Sequence, residues 1–386
     1  MFVCVFVANM PDNCGAFFSD ITLAKALRKR GHQVLLINCA NPRQNYAGGE
    51  YEGLSWKPYV SAGRELDQSQ IWVAPHFPIA PLVRKLNSNY QRPIIFTLHF
   101  PGAPKMFEFP GRIGWKEMFW YVNSAIPHVL LPQGFPSQVS QHELRHPFVD
   151  EELVRVSEPG RGTYITLINA NANKGLVLFT EIARRMPDTK FLAVRSYYHH
   201  AFGYSLDIPP NITWIDFSRD MRSLYEKTRI LLVPSAYESF CMVAVEAMSN
   251  GIPVLYTRPN DLRILYDYGS TEGMAEWIEP AGIACDIQKA EDWVEQLRAL
   301  EDPEIYAERS QQVREHVRPI LHGAERAVVA VEAFSQANPI ATGKAFTIQA
   351  GAPKRQETAT PLTAIPQAPS GQKIGWQNGR LSFGRR

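Results

Sequence analysis

The sequence predicts an α/β protein built from two doubly wound parallel sheets. Short apolar runs of strand length alternate with helical patterns from the first residue onward, which is typical of βαβ units. The alternation starts again after a polar stretch near the middle of the chain. A length of 386 residues and a hydrophobic content of 45% suit two packed domains. Two such sheets imply a cleft between them.

The first sheet is predicted from apolar runs in the first third of the chain. A strand over 2–8 leads through N-M-P-D-N-C-G to a helix over 19–30, and Gly31 ends that helix before the strand Q-V-L-L-I-N. Three further strands are expected near 71–74, 93–98 and 128–131.

The second series of strands begins at Tyr164 with Y-I-T-L-I-N. It continues through a helix over 174–186, a strand over 190–194 and the apolar run I-L-L-V-P-S that ends at Ser235. The polar run over 150–162, which ends in Pro and Gly, predicts the linker. We therefore expect domains at 1–155 and 156–335, with a last helix that can cross back to the first domain.

Residues 336–386 differ in composition from the rest of the chain. They are rich in Pro, Ala, Thr and Gln and carry seven basic residues against one acidic residue, whereas the preceding part has 33 basic and 37 acidic residues. Without apolar periodicity, such a segment is predicted to be a flexible tail. A solvated extension, docking onto the body, contact with an acidic membrane surface and contact with nucleic-acid phosphate all remain open.

The cysteines and the apolar runs indicate the cellular compartment. Five scattered cysteines without a C-x-x-C pair argue against a disulfide framework and a structural zinc site. The apolar run 2–8 is short and lacks a basic leader, so it is expected to be a strand and not a signal peptide. No run reaches transmembrane length. These features predict a cytoplasmic protein, and the basic tail leaves a peripheral membrane position open.

Glu238 and Glu246 form the most informative motif. The preceding apolar run is predicted to be a buried strand and 241–250 a helix, so Glu238 falls on the turn at the ligand edge of a parallel sheet. Backbone N–H groups at such a helix start bind phosphate readily. Glu246, about two turns into the helix, can hold a ribose diol. The unit predicts a sugar-nucleotide site, although the spacing alone also fits two solvated helix glutamates.

These residues resemble a known family. E-x7-E continuing into A-M-S-N-G-I-P-V-L, preceded by Y-E-K-T-R-I-L-L-V-P-S, is similar to the donor half of the retaining family-4 glycosyltransferases, which have the GT-B fold. The resemblance is strong over 164–286 and weak at the N-terminal strand and glycine loop. It implies transfer of a sugar from a nucleotide-diphosphate sugar to a hydroxyl acceptor with retention of anomeric configuration. Histidines other than His99 have no acidic or cysteine partners at metal-ligand spacing, so neither a metal nor another cofactor is expected.

The resemblance assigns roles residue by residue. It places Glu238 at the donor sugar and Glu246 at the ribose, and it makes Lys174, in the K-G pair, a diphosphate ligand. His99, which follows the strand P-I-I-F-T-L, corresponds to a histidine that contacts the donor sugar or the leaving phosphate; without the family a buried core histidine is the simpler interpretation. The backbone amides expected at the sugar and the diphosphate belong to the residues after the first glutamate, Ser239, Phe240, Cys241 and Met242.

Three departures from the family pattern bear on donor binding. No basic residue occurs between Thr163 and Asn173, so one diphosphate contact is lost or moved, and Arg195 is the candidate replacement. The paired glycines of the N-terminal loop are reduced to Gly15. Cys241 stands where the family has glycine and adds a side chain near the phosphates.

Other functions remain open on the sequence alone. The chain could be a catalytically degenerate sugar-nucleotide-binding or scaffold protein that acts through its basic tail. A further hypothesis is that the chain is a nucleotide-sugar epimerase, because such enzymes share this architecture. For a transferase, the acceptor could be a carbohydrate, a lipid-linked glycan or a modified base in DNA.

Overall fold

The computed structural model describes most of the chain. The described residues are 1–40, 48–76, 78–99, 116–122, 141–197, 207–259, 271–340, 372–377 and 380–385. The strand predicted over 128–131 and the greater part of the predicted tail lie outside them.

The first domain is built on a sheet whose described strands are all parallel except for one edge hairpin. Its order is β3-β4-β2-β1-β5-β6-β7-β8, and only β3 and β4 pair in antiparallel fashion. Most inner strands are buried on both faces, as expected for a parallel sheet covered by helices. The strands are β1 (Phe2–Val7), β2 (Gln33–Asn38), β3 (Gly49–Tyr51), β4 (Leu54–Pro58), β5 (Ile71–Pro75), β6 (Ile94–Leu98), β7 (Glu117–Tyr121) and β8 (Gln141–Leu144).

Four described helices belong to this part of the chain, and the first begins earlier than predicted. They are α1 (Gly15–Lys29), α2 (Gly63–Gln68), α3 (Ala80–Tyr90) and α4 (Glu151–Val154). The predicted start of α1 at Ser19 is wrong by four residues. Phe17 is buried with Ile21 and Ala24 on the same face, so the apolar helical repeat already includes the residues read as loop.

The second domain contains a fully parallel sheet with the order β11-β10-β9-β12-β13-β14 among its described strands. In chain order this is 3-2-1-4-5-6, which reverses direction between the first and fourth strands and opens a crevice there. That crevice separates the carboxyl ends of β9 and β12. The strands are β9 (Tyr164–Ala170), β10 (Phe191–Arg195), β11 (Ile212–Ile215), β12 (Thr228–Val233), β13 (Val254–Thr257) and β14 (Ile283–Cys285).

The helices of the second half cover this sheet, and the last one contacts the first domain. They are α5 (Leu176–Arg185), α6 (Met221–Lys227), α7 (Met242–Ser249), α8 (Glu272–Ile278), α9 (Ala290–Ala299), α10 (Pro303–Leu321) and α11 (Gly323–Ala337). In α11, Ala327, Val331 and Phe334 join the apolar cluster formed by β1 and α1. Glu332 also accepts a hydrogen bond from His32 at 2.9 Å. Helix α11 thus packs on the first domain, although it follows the second domain in the chain.

The connection between the domains is held by Asn250, at the end of α7. Its Oδ1 accepts a hydrogen bond from the backbone N–H of Val156 at 2.8 Å, and its Nδ2 donates to the carbonyl of Val154 at 3.0 Å. The expected linker 150–162 therefore begins as helix α4 and is pinned to the second domain at 154–156.

The fold prediction is confirmed: the chain is α/β with two parallel sheets facing a cleft. At the C-terminus, β15 (Gln372–Gln377) and β16 (Arg380–Arg385) pair in antiparallel fashion, where the composition predicted no regular structure. Within the described ranges, no helix combines the length and apolar character needed to cross a bilayer.

Candidate functional site

A cavity of about 380 Å³ lies in the cleft and is lined by both domains. From the first domain it receives residues of α1, of the β3–β4 turn and of the segment after β6. From the second it receives residues after β9, β11 and β12. It contains nine of the ten residues singled out in the sequence, namely Gly15, His99, Lys174, Glu238, Ser239, Phe240, Cys241, Met242 and Glu246.

Lys174 and Glu238 meet across the crevice of the second sheet. Lys174 follows β9 and Glu238 follows β12, the two strands that flank the reversal of strand order. Gly175 makes this approach feasible, because it has φ +78° and an added Cβ would overlap the carbonyl of Pro234. Only glycine combines that backbone angle with such close packing. The lysine is therefore delivered to the end of the neighbouring strand.

The two side chains form a partly buried ion pair. Lys174 Nζ lies 2.5 Å from Glu238 Oε1, and Ser235 Oγ donates to the same oxygen at 2.9 Å. Glu238 is 7% exposed. Burial disfavours the charge on Lys174, but the attraction of Glu238 outweighs it and raises the pKa of the ammonium group. A positive charge is thus maintained in the cavity wall at neutral pH.

The turn before α7 is held by ring contacts and a hydrogen bond at Phe240. The Phe240 ring lies between His146 and Trp277, with ring centroids 5.0 and 5.1 Å away, and Trp277 Nε1 donates to the Phe240 carbonyl at 2.8 Å. Cys241 then adopts a left-handed conformation with φ +70°. No described side chain caps the start of α7. The backbone N–H groups of Met242 and Val243 therefore remain available to an anion in the cavity, whereas that of Ala244 bonds the Cys241 carbonyl.

Glu246 lies about one turn into α7, not two turns as predicted, and is oriented by a tyrosine. The hydroxyl of Tyr225, from α6, donates to Glu246 Oε2 at 2.7 Å. Burial raises the pKa of the Glu246 carboxyl, and the hydrogen bond from Tyr225 opposes that rise. Tyr225 was not predicted from the sequence, because its bond to Glu246 joins residues 21 positions apart in the chain.

His99 enters the cavity from the first domain and faces a buried acid. Its Nε2 lies 3.9 Å from Asp20 Oδ1, too far for a hydrogen bond but close enough for electrostatic attraction. Asp20, on α1, is 2% exposed. Burial raises the pKa of its carboxyl, while His99 and Thr97 lower it. Asp20 was missed in the sequence, although an acid within the apolar stretch F-F-S-D-I is a signal that could have identified it.

The two domains come into contact where α1 and α7 begin. A Cβ added to Gly15, the first residue of α1, would lie 3.1 Å from Met242 Sδ, the first residue of α7. The N-terminal ends of two helices thus face the same space. Both ends carry the positive pole of a helix dipole.

Arg195 is the one predicted residue that does not line the cavity. Its Nε lies 3.1 Å from Asp216 Oδ1, and its guanidinium lies 5.0 Å from the centroid of the Trp214 ring. Arg219, which was not singled out, does line the cavity, and its Nε donates to Asn13 Oδ1 at 2.8 Å.

Among the residues that the structure describes, no group of three or more His, Cys, Asp or Glu side chains is arranged to hold a metal ion.

Comparison with known sequences identifies the same region. Residues 196–317 match the family model described as glycosyl transferases group 1. D-inositol 3-phosphate glycosyltransferase of Corynebacterium kroppenstedtii is 36% identical over 83 residues, which are 22% of this chain and 16% of that protein. The aligned region therefore spans less than a fifth of this relative's length.

Comparison with solved structures covers most of the chain. Sucrose-phosphate synthase from Thermosynechococcus elongatus superposes with a TM-score of 0.64 at 14% identity, over 87% of this chain and 99% of that one. Anabaena HepE, in complex with UDP-glucose, superposes with a TM-score of 0.65 at 12% identity, over 86% and 99%. The chain therefore has the GT-B fold, and its residues 196–317 match the group 1 glycosyltransferases.

Proposed function

We propose that this protein is a glycosyltransferase that moves a sugar from a nucleotide-diphosphate sugar to a hydroxyl acceptor, with retention of anomeric configuration and without a metal. The observation that carries the proposal is the Lys174–Glu238 pair beside the uncapped start of α7, at the crevice of a doubly wound sheet. The match of residues 196–317 to group 1 glycosyltransferases supports it independently.

The cation and the helix start suit the departure of a nucleoside diphosphate. When the anomeric bond breaks, negative charge develops on the leaving phosphate oxygen. Lys174 and the first N–H groups of α7 are fixed before the reaction, so they stabilise that charge without reorganising. This electrostatic role is the one that a metal ion fills in other phosphate-transferring sites. We therefore expect activity to persist in the presence of a chelator.

The carboxylates are assigned to binding. Glu238 is held by Lys174 and Ser235, so it is suited to accept hydrogen bonds from sugar hydroxyls and poorly suited to act as a free nucleophile. Glu246, with one oxygen bonded to Tyr225, retains an oxygen for the ribose diol. His99, which lines the cavity from the other domain, is assigned to the donor sugar or the leaving phosphate.

Retention constrains the mechanism. In the proposed reaction the acceptor hydroxyl attacks from the face that the diphosphate leaves, and the leaving phosphate oxygen takes the acceptor proton. Closure of the domains around the donor excludes water, which limits hydrolysis.

The test is a donor screen on the full chain. UDP-, GDP- and ADP-sugars are compared by thermal shift and by release of the nucleoside diphosphate, with and without chelator. UDP-glucose, which HepE holds in its crystal structure, is the first donor to try. We expect one donor class to stabilise the protein and turn over, and Lys174→Ala to lose both effects. NMR of the product then reports its anomeric configuration, and an inverted product contradicts retention.

The principal alternative is a degenerate nucleotide-sugar binder. It predicts stabilisation by a donor without turnover towards water or any hydroxyl acceptor. If no donor stabilises the protein, the proposed site is not a nucleotide-sugar site.

A further inference from the structure

Charge in the cavity is unfavourable for a diphosphate. The ionisable Lys, Arg, Asp and Glu side chains that line it are three basic ones, Lys25, Lys174 and Arg219, and four acidic ones, Glu52, Asp150, Glu238 and Glu246. A nucleoside diphosphate brings at least two further negative charges at neutral pH. Binding therefore depends on which of the cations remain available to it.

Two of the three cations are already engaged by carboxylates. Lys174 pairs with Glu238 at 2.5 Å. Lys25 pairs with Glu52 at 2.5 Å and with Asp150 at 3.0 Å, so two carboxylates share one ammonium group. Arg219 has no carboxylate within 4.0 Å among the described residues, and the only described hydrogen bond of its side chain is to the neutral amide of Asn13.

That hydrogen bond also ties Arg219 to the loop before α1. Asn13 lies two residues before Gly15, and a Cβ added to Gly15 would lie 3.1 Å from Met242 Sδ. Arg219 lines the same cavity as these three residues and is supplied by the same domain as Lys174.

The geometry of the bond leaves the strongest donors of Arg219 unused. Nε–H is the group that donates to Asn13, so the guanidinium is held by one edge. Its two Nη groups make no hydrogen bond to the described residues. A planar pair of donors of this kind binds two phosphate oxygens at once.

We infer that Arg219 is a donor-positioning residue that binds the diphosphate through its Nη groups while Asn13, from the other domain, holds its Nε. The inference rests on the proposed function and adds a specific ligand to it. It replaces Arg195, whose guanidinium is engaged by Asp216 outside the cavity.

The experiment measures binding of UDP, GDP and ADP, and of the matching nucleosides, to the full chain by calorimetry. For the diphosphate that binds best, we expect Arg219→Ala to weaken affinity about tenfold or more, the loss typical of a hydrogen bond between charged groups. Affinity for the nucleoside alone should change little. Arg219→Lys should recover only part of the loss, because a point charge lacks the planar fork.

Arg195→Ala is the matched control, since it removes a guanidinium from the same domain but from outside the cavity. It should leave diphosphate affinity unchanged. Asn13→Ala should weaken the diphosphate less than Arg219→Ala does, because the guanidinium remains but loses its support. If the wild type binds a diphosphate and Arg219→Ala binds it equally well, the inference is wrong. If the wild type binds no diphosphate, the proposed function has failed instead.

Discussion

The hydroxyl of Tyr225 donates a hydrogen bond to Glu246 Oε2 at 2.7 Å and so ties α6 to the middle of α7. Both side chains belong to the second domain, and Glu246 lines the cavity. The bond fixes which carboxylate oxygen is occupied and which remains for a ligand. It also gives the deeper part of the candidate donor site a testable dependence on one hydroxyl group.

Removing that hydroxyl should weaken donor binding. We expect Tyr225→Phe to raise the KM for the donor about fivefold while kcat changes little, because the net contribution of one such hydrogen bond is about 1 kcal/mol. Steady-state kinetics with varied donor measure both constants. Tyr306→Phe is the matched control. The Tyr306 hydroxyl donates to the Arg229 carbonyl at 2.9 Å, and neither residue lines the cavity. Equal effects in the two variants would contradict the assignment.

Loss of the Lys174 ammonium should affect stability as well as binding. In Lys174→Ala, Glu238 loses its cationic partner while it keeps the hydrogen bond from Ser235, so we expect the free energy of unfolding to fall by about 1–3 kcal/mol. Urea unfolding measures this. Lys57→Ala removes a more exposed partner, 2.6 Å from Glu65, and should cost less than about 1 kcal/mol without changing donor binding. A similar cost for both would show that the Lys174 pair is energetically a surface pair.

Gly175 should not tolerate a side chain. An alanine there combines a left-handed backbone with overlap against Pro234, so we expect Gly175→Ala to lower the free energy of unfolding by more than about 2 kcal/mol and to displace Lys174. Gly160→Ala separates the two causes, because Gly160 has φ +86° but no atom within 4 Å of the added Cβ. It should cost only about 1–2 kcal/mol and leave donor binding intact. Thermal and urea unfolding measure both variants. If Gly175→Ala and Gly160→Ala lose the same free energy of unfolding, the overlap with Pro234 contributes nothing.

Asp20 should make stability depend on pH in a specific direction. Burial raises its pKa above the ordinary value of 3.8 in the folded state, so the folded protein holds this proton more tightly than the unfolded chain. Its contribution to stability is therefore present below 3.8 and is lost as the pH rises through the folded-state pKa. Asparagine cannot ionise, so Asp20→Asn does not lose this contribution. Its stability relative to wild type should therefore increase as the pH rises through the folded-state pKa of Asp20.

An exposed acid supplies the opposite control. The hydrogen bonds from Ser223 lower the pKa of the Asp220 carboxyl, so its contribution is present above 3.8 and is lost as the pH falls through the folded-state pKa. The stability of Asp220→Asn relative to wild type should thus fall as the pH rises. Urea unfolding at several pH values from below 3.8 to neutrality measures both variants. Parallel pH profiles for the two would contradict the burial of Asp20 as the cause.

Several secondary-structure elements were not predicted correctly from the sequence, each for a physical reason. Strand β7 begins with Glu117, a buried acid that is neutralised by Arg84 at 2.9 Å, so its pattern lacks the expected apolar start. Hairpin β3–β4 was missed because its strands are short and half exposed. The start of α1 was placed late because Gly15 was read as part of a loop. The first of these errors reflects a contact between residues distant in the chain, Arg84 and Glu117.

By itself the sequence determined the α/β class, the restart of the strand pattern near Tyr164 and the strand-turn-helix unit that carries Glu238 and Glu246. These depend on periodicity and turn residues, which act over a few neighbouring positions. Only the tertiary structure decided that Lys174 pairs with Glu238, that Tyr225 holds Glu246 and that Arg219, not Arg195, lines the cavity. Such contacts follow from strand order and domain packing, because side chains far apart in sequence meet only when the sheets are assembled.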